Sequence, residues 1–373
     1  MRLRSLLLAL GALLLAPLAV EAAPKQVVLL LTGDNGGEIA PCGCRHGPSG
    51  GLARRKTALA KERDAGVPVR VLDAGNALFK SAEYSNEPGV KARAELLLEQ
   101  MDALGTTAMA VGARDLVNGT GFLLQSTRRM KTKMKLLSAN LVGEGKKRIF
   151  PASTVVTVGG VKFGVVGLSP EGSVEGESAV VGQAPAPAAL AEARRLREKE
   201  KVDVVVVLAA LPYEEATRLT GELGDAVDFV VQSHEGRGEG MAQRNGFAAL
   251  IPSGERGRQL ARLELSIDGP GPFADLAEAE RSREGLARLE ANIRRAKQRL
   301  EEAQGEVLRK SLSEAQAQLE SRRAQLVANI EANTGDFKRT QRLSFILLGS
   351  EVEADPELQK RVERLEPPGS VNP

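Results

Sequence analysis

Between Gln26 and Asp268 the chain alternates short β-branched apolar runs with amphipathic stretches of helical spacing, and this alternation restricts the fold more than any other feature. Some of the runs are apolar at every position. Val204–Leu208 reads VVVVL, a pattern that suits a strand covered on both faces rather than one with a wet side. Strands separated by helices, with both sheet faces covered, define an α/β domain. Strands are expected at Val27–Leu31, Val69–Asp73, Ala108–Val111, Lys135–Ser138, Thr154–Val158, Lys162–Val166, Val202–Leu208, Asp228–Val231, Ala248–Ile251 and Ala261–Ser266. Helices are expected at Leu52–Asp64, Val90–Leu104, Pro187–Glu200 and Tyr213–Leu223. Val158-Gly159-Gly160-Val161 has the form of a two-glycine hairpin turn.

Gly269, Pro270, Gly271 and Pro272 end this pattern, and a charged, alanine-rich helical region follows. Leu286, Leu289, Ile293, Ala296, Leu300 and Ala303 keep three-four spacing. Beyond Gly305 the apolar series resumes out of register at Leu312, Ala315, Leu319, Leu326 and Ile330. Residues 275–333 are therefore expected to form an antiparallel helical hairpin rather than one long helix with a stutter. Such an arm packs on the domain, docks a partner or pairs two copies as a homodimer. Residues 334–373 read as a C-terminal tail with one apolar run, Leu343–Leu348, and a short amphipathic stretch.

At the other end, Arg2 and Arg4 precede an apolar run from Leu6 to Val20, and Val20-Glu21-Ala22 has the form of a cleavage site. Residues 1–22 read as a signal peptide, so the expected location is periplasmic or secreted, with residues 23–268 as the α/β domain. No later run has the length of a membrane span. With 51 basic and 48 acidic side chains the formal net charge is +3, which argues against a nucleic-acid footprint.

Cys42 and Cys44 are the only cysteines, and His46 is one of two histidines. Their alternate spacing puts all three on one face of an extended segment. Three readings stay open there. A Cys-x-Cys disulfide closes a tight, strained ring. Two thiolates with an imidazole are a ligand set typical of zinc. With His46, Arg45, Arg54 and Arg55 nearby, a lowered thiol pKa suits redox exchange with a periplasmic partner.

The order of motifs resembles that of the calcineurin-like metallophosphoesterases, specifically the secreted 5'-nucleotidase and UDP-sugar hydrolase branch. Where that branch has Thr-Asn-Asp-x-His-Gly, this chain has Thr32-Gly33-Asp34-Asn35-Gly36-Gly37. Gly50-Gly51-Leu52-Ala53-Arg54 matches its helix-opening Gly-Gly-x-Ala-Arg, and Leu72-Asp73-Ala74-Gly75-Asn76 its Leu-Asp-Ala-Gly-Asp. The Gly-Asn-His-Glu turn corresponds to Gly112-Ala113-Arg114-Asp115. Ser138-Ala139-Asn140 and Gly160–Leu168 resemble the middle segment, Val204–Leu211 the strand ending in Ser-His-Leu, and Val227–His234 the strand ending in Gly-Gly-His-x-His. The Pro41-Cys42-Gly43-Cys44 loop is similar to one in UDP-sugar-hydrolase-like members of this branch, some of which carry selenocysteine.

The resemblance implies a four-layer αββα sandwich, here followed by the helical hairpin, and hydrolysis of a phosphoester small molecule by two divalent metals around a shared carboxylate. Asp34 and His234 match the family's ligands. The other ligand positions hold Gly36, Asn76, Ala113, Arg114, Ala210 and Gly236. Neutral Asn76 in place of the bridging aspartate disfavours a pair of cations, so one ion is expected rather than two, with zinc favoured over manganese. The candidate ligands are Asp34, Asn76, His234, Cys42, Cys44 and His46. Arg114, Asp115, Cys42 and Cys44 are the candidates for chemistry. No strand pattern after Asp268 matches the nucleotide-binding second domain of that branch.

Three functions follow as expectations: a phosphoesterase of the 5'-nucleotidase type with a depleted site, a thiol redox or soft-metal protein, and a non-catalytic scaffold acting through its coiled coil.

Overall fold

The computed structural model describes residues 23–42, 47–81, 89–233, 240–254 and 256–368, so the expected signal peptide lies outside the described residues. The chain opens with parallel strands β1 (Lys25–Thr32), β2 (Val69–Asp73), β3 (Thr106–Ala110) and β4 (Lys135–Leu137). They alternate with helices α1 (Leu52–Asp64), α2 (Val90–Ala103) and α3 (Gly119–Met130). After a two-residue strand, β5 (Leu141–Val142), the chain forms the hairpin β6 (Ser153–Val158) and β7 (Val161–Leu168), and then β8 (Gly172–Val174) and β9 (Glu177–Gly182). Helix α4 (Pro185–Arg195) leads to β10 (Val204–Ala209), α5 (Tyr213–Glu222), β11 (Phe229–Gln232), β12 (Gln243–Asn245), β13 (Ala248–Pro252) and β14 (Gln259–Ile267). The remainder is β15 (Ala274–Asp275), α6 (Leu276–Glu302), α7 (Glu306–Ala332), β16 (Arg339–Leu347) and α8 (Pro356–Leu365).

Among the described residues these strands make a seven-stranded sheet ordered β15-β16-β14-β1-β2-β3-β4, a six-stranded sheet ordered β12-β13-β11-β10-β7-β6, and a small sheet β5-β9-β8. The two large sheets face each other. Val27, Leu29 and Leu31 of β1 point into the shared core with Val206 and Leu208 of β10 and Phe229 and Val231 of β11. The alternate residues Val28 and Leu30 pack outward on Ala58 and Leu59 of α1. Val205 and Val207 pack on Ala189 of α4 and Ala216 and Leu219 of α5. Four layers result, and the unbroken valine run is explained: each face of β10 is buried, one on a sheet and one on helices. Each such side chain withdrawn from water contributes about 1.5–3 kcal/mol.

The expected strands and helices form within a residue or two of their expected ends, except that α4 stops at Arg195 and a π turn carries the chain on over Leu196–Glu200; Val69–Asp73 and Leu52–Asp64 coincide with theirs. Three parts of the chain depart from the sequence pattern. Helix α3 begins with Gly119 and carries Gly121, residues of low helical preference. Strands β8 and β9 are short and largely exposed. The third is β16, in the segment expected as a tail. It pairs antiparallel with β14 along nine residues and parallel with β15. Its inward face begins with Arg339 and Gln341, both buried, before Leu343, so the usual alternation of apolar and polar positions is broken. Arg339 is accommodated by ion pairing with buried Asp228 at 3.1 Å and by stacking 4.0 Å from the Phe273 ring.

The helical hairpin is thus an excursion between two neighbouring parts of one sheet. Helices α6 and α7 run antiparallel, with Lys297–Glu320 and Arg323–Glu290 ion pairs at 3.2 Å between them. The turn is made by Gly305 at φ 92°, a left-handed conformation that glycine adopts without penalty. Asp275 caps α6 by accepting from the Glu278 N–H at 3.1 Å. The base is fastened where the Asp275 N–H meets Asn333 Oδ1 at 3.0 Å and Arg342 forks onto Glu280 at 2.7 Å.

Candidate functional site

The loops at the carboxyl ends of β1, β2, β3, β10 and β11 converge on one edge of the sandwich, where parallel sheets offer their crevice. Asp34 follows β1 and Asn76 follows β2, and both have left-handed backbone conformations, with φ of 48° and 57°. Non-glycine residues hold that conformation where surrounding structure enforces it. The enforcing bonds are visible. The Asp34 N–H donates to Gly75 O at 2.9 Å and to Ser233 Oγ at 2.9 Å, and the Ser233 hydroxyl donates to Gly75 O. Ser233, which no motif argument singles out beyond its place before His234, is the pin joining β1, β2 and β11.

The turn after β3, a 3-10 helix at Ala113–Leu116, carries Arg114 and Asp115. Expected side by side as chemical groups, they point in different directions. Asp115 is wholly buried beneath the turn. Its Oδ2 accepts the N–H groups of Asn76 at 2.7 Å and Gly112 at 2.8 Å, and its Oδ1 those of Ala77 at 2.8 Å and Leu78 at 3.0 Å. Burial pushes its carboxyl up to about 7, against the pull of these donors. Asp73 at the end of β2 is also raised by burial, opposed by the Thr32 hydroxyl at 2.6 Å and the Gly75 N–H at 2.8 Å. Buried Arg55 is lowered by desolvation, with the charge of Asp73 opposing, and donates to Asn35 Oδ1.

Arg114 reaches back across the crevice. Its Nη1 lies 2.7 Å from Asp34 Oδ1, and Asp34 is only 3% exposed. A Cβ built on Gly36 would stand 3.8 Å from that same nitrogen, so the guanidinium occupies space beside the position at which the resemblance expected a histidine. Asn76 is spoken for at both ends of its amide: Oδ1 accepts the Arg114 N–H at 3.1 Å and Nδ2 donates to Ser233 O at 2.9 Å. Gly112 must be glycine here, because a Cβ would come within 2.2 Å of Asn76 Oδ1. A Cβ on Gly75 would meet the Ala210 methyl at 3.1 Å, which puts that fourth-motif alanine on the same crevice.

The structure therefore brings together Asp34, Asn76, Arg114 and, beneath them, Asp115. Cys42 is buried at the foot of the following loop, with its N–H on Ser49 O at 2.9 Å and Sγ 3.3 Å from Ser49 Oγ. Cys44, His46 and His234 lie outside the described residues. No group of three His, Cys, Asp or Glu side chains able to hold a metal ion exists among the described residues. The groups present do not fit a dinuclear metal centre. The carboxylate that would bind one ion carries a guanidinium, the bridging position is a neutral amide fixed by protein hydrogen bonds, and Ala113 and Ala210 have no donor atoms.

This architecture is the metallophosphoesterase fold. No protein-family model and no curated protein sequence matches the chain, and the likeness is one of structure. A 5'-nucleotidase precursor from Thermus thermophilus superposes with a TM-score of 0.60 at 18% identity, over 92% of this chain and 59% of that one. The sulfate thiohydrolase SoxB of the same organism gives 0.56 at 17% identity, over 65% of this chain and 54% of that one. The calcineurin-like phosphoesterase YfkN of Bacillus subtilis gives 0.51 at 15%, over 66% and 86%. The chain spans little more than half the length of the first two proteins.

Proposed function

We propose that this is an exported protein of the 5'-nucleotidase type of scaffold in which Arg114 stands in for the metal pair, and that it binds rather than hydrolyses its ligand. The Arg114–Asp34 ion pair at 2.7 Å carries this reading. A divalent ion about 4 Å from the guanidinium would be repelled by roughly 8 kcal/mol at an effective dielectric constant near 20, twice the unit-charge value. A guanidinium neutralises Asp34, but it neither carries a water nor lowers its pKa as paired metals do. The signal-peptide pattern of residues 1–22 supports export to the periplasm. A phosphoester small molecule remains the ligand class that the scaffold suggests. The test is release of p-nitrophenol from bis-p-nitrophenyl phosphate and of phosphate from AMP by the purified chain with Mn, Co, Zn or Mg. No release above the metal-only blank is expected, and metal-dependent turnover lost in Asp34→Asn would overturn the reading.

The position of Cys42 favours a second reading, a soft-metal or thiol redox site shared with Cys44 and His46. Its hydrogen bonds to Ser49 fix the foot of the loop that carries the other two. Zinc content and thiol titration before and after mild reductant, compared with Cys42→Ser/Cys44→Ser, test it. Absence of both metal and reversible oxidation would reject it.

A further inference from the structure

A cavity of about 560 Å³ opens beside the Ala113 turn, between that turn and the small sheet. Its volume lies in the range of small-molecule sites. Leu116 and Leu141 form its apolar floor and Val174 one wall, and the first two are almost fully buried. The walls are braced. Ser169, at the edge of the floor, is held by its hydroxyl on Val111 O at 2.6 Å and by its N–H on Asn140 Oδ1 at 2.9 Å. Asn140 Nδ2 also donates to Gln183 O at 2.7 Å, which ties the end of the small sheet to the same point. Glu177 fixes the other side by accepting from the Thr120 N–H at 3.1 Å and hydroxyl at 3.0 Å. The space is therefore pre-formed and not a gap that side-chain relaxation would close.

Its charge runs against a phosphoester. Glu171 and Glu175 stand exposed at the rim, and no lysine, arginine or histidine lines the cavity among the described residues. An anion entering would be repelled by both carboxylates while losing water to an apolar floor. A cation whose apolar body fills the floor and whose charged head stays at the rim meets neither cost.

We propose that this cavity, which adjoins the Arg114–Asp34 crevice through the Ala113 turn, binds a small organic cation, an amine on an aryl or aliphatic body. The test is calorimetric or NMR titration of the full exported chain with phenethylamine, phenethyl alcohol and 3-phenylpropionate, which share a body and differ in charge. Saturable phenethylamine binding, roughly tenfold or more tighter than that of 3-phenylpropionate, is expected. Glu171→Gln/Glu175→Gln should weaken the amine about fivefold or more and leave phenethyl alcohol unchanged, as two surface carboxylates acting on charge alone require. Val174→Phe, which fills the space, should abolish binding of all three without lowering the melting temperature. Absence of phenethylamine binding at millimolar concentration, equal binding of the carboxylate, or amine affinity indifferent to the Glu171→Gln/Glu175→Gln pair would each overturn the proposal. Because the readout is binding of an amine, it is independent of whether phosphoesters are hydrolysed.

Discussion

At the scale of single residues, the crevice is held by two buried carboxylates that are neutralised in different ways. Asp34 relies on Arg114, so Arg114→Ala leaves a charge only 3% exposed without this counter-ion, and a loss of about 3–5 kcal/mol is expected in urea unfolding. Asp34→Asn/Arg114→Gln removes both charges and should recover most of that loss; a double variant as unstable as Arg114→Ala would show that the ion pair is not the cause. Asp115 relies on backbone N–H groups. Its folded pKa of about 7 lies above the ordinary value of 3.8, so the folded state holds a proton that the unfolded chain has released. The stability it contributes is complete below about pH 4 and disappears as pH rises through 7. Asp73, also raised by burial, works in the same direction. The urea midpoint should therefore fall from pH 5 to pH 8. In Asp115→Asn that slope should flatten, while overall stability drops by about 2–4 kcal/mol because an NH2 now faces N–H donors. A slope unchanged in that variant would contradict the assignment. Motif order in the sequence makes the places of Asp34, Asn76 and Arg114 legible. It does not reveal that Arg114 lies on Asp34, because the two are 80 residues apart and meet only when β1 and β3 stand in one sheet.

Among the elements, the ones legible in sequence are those whose two faces are both apolar, as in β10, or whose apolar period is unbroken, as in α6. Among the unread ones, β16 carries polar residues inward for reasons that are tertiary. Arg339 in β16 is tolerated because Asp228 and the Phe273 ring are waiting for the guanidinium, and nothing local in residues 339–347 says so. The heptad break at Gly305 is informative, since the chain does reverse there. The hairpin can be tested as an autonomous element. Its ends abut, with the Asp275 N–H 3.0 Å from Asn333 Oδ1, and no residue of α7 is buried. Replacing 276–332 by a short glycine-rich linker closes the same gap at little entropic cost. The melting temperature of the sandwich should fall by only a few degrees, and a homodimer, if the wild type forms one, should become monomeric by sedimentation. Collapse of the sandwich would show that α6, which buries Ala277, Ala279, Ser282, Leu289 and Ile293, is part of the core rather than an arm resting on it.

For the whole molecule, the consequence of β16 is that the sandwich is closed by the last part of the chain. An interior strand of the ladder, β14, is flanked by β1 on one side and β16 on the other, and β16 is reached only after the entire hairpin. Helix α8 then crosses back to the opening segment. The Asp355 N–H donates to Ala53 O at 3.2 Å, Lys56 pairs with Asp355 at 2.8 Å, Arg361 forks onto Glu99 at 2.8 Å, and Leu358 and Val362 are buried in the α2–α3 core. Truncation after Asn333 would remove nine residues of ladder, expose the flank of β14 and open that core. An interior strand left unpaired is an edge on which other chains add. The truncated chain should therefore be insoluble or aggregate on refolding, whereas the hairpin replacement, which deletes a longer segment, stays soluble. Amide exchange checks the same claim in the intact protein. If the C-terminal strand closes the fold, Leu263 and Leu343, neighbours in the ladder, should exchange together at the slowest rate, and early exchange confined to residues 339–347 would show instead that β16 is a dispensable strap.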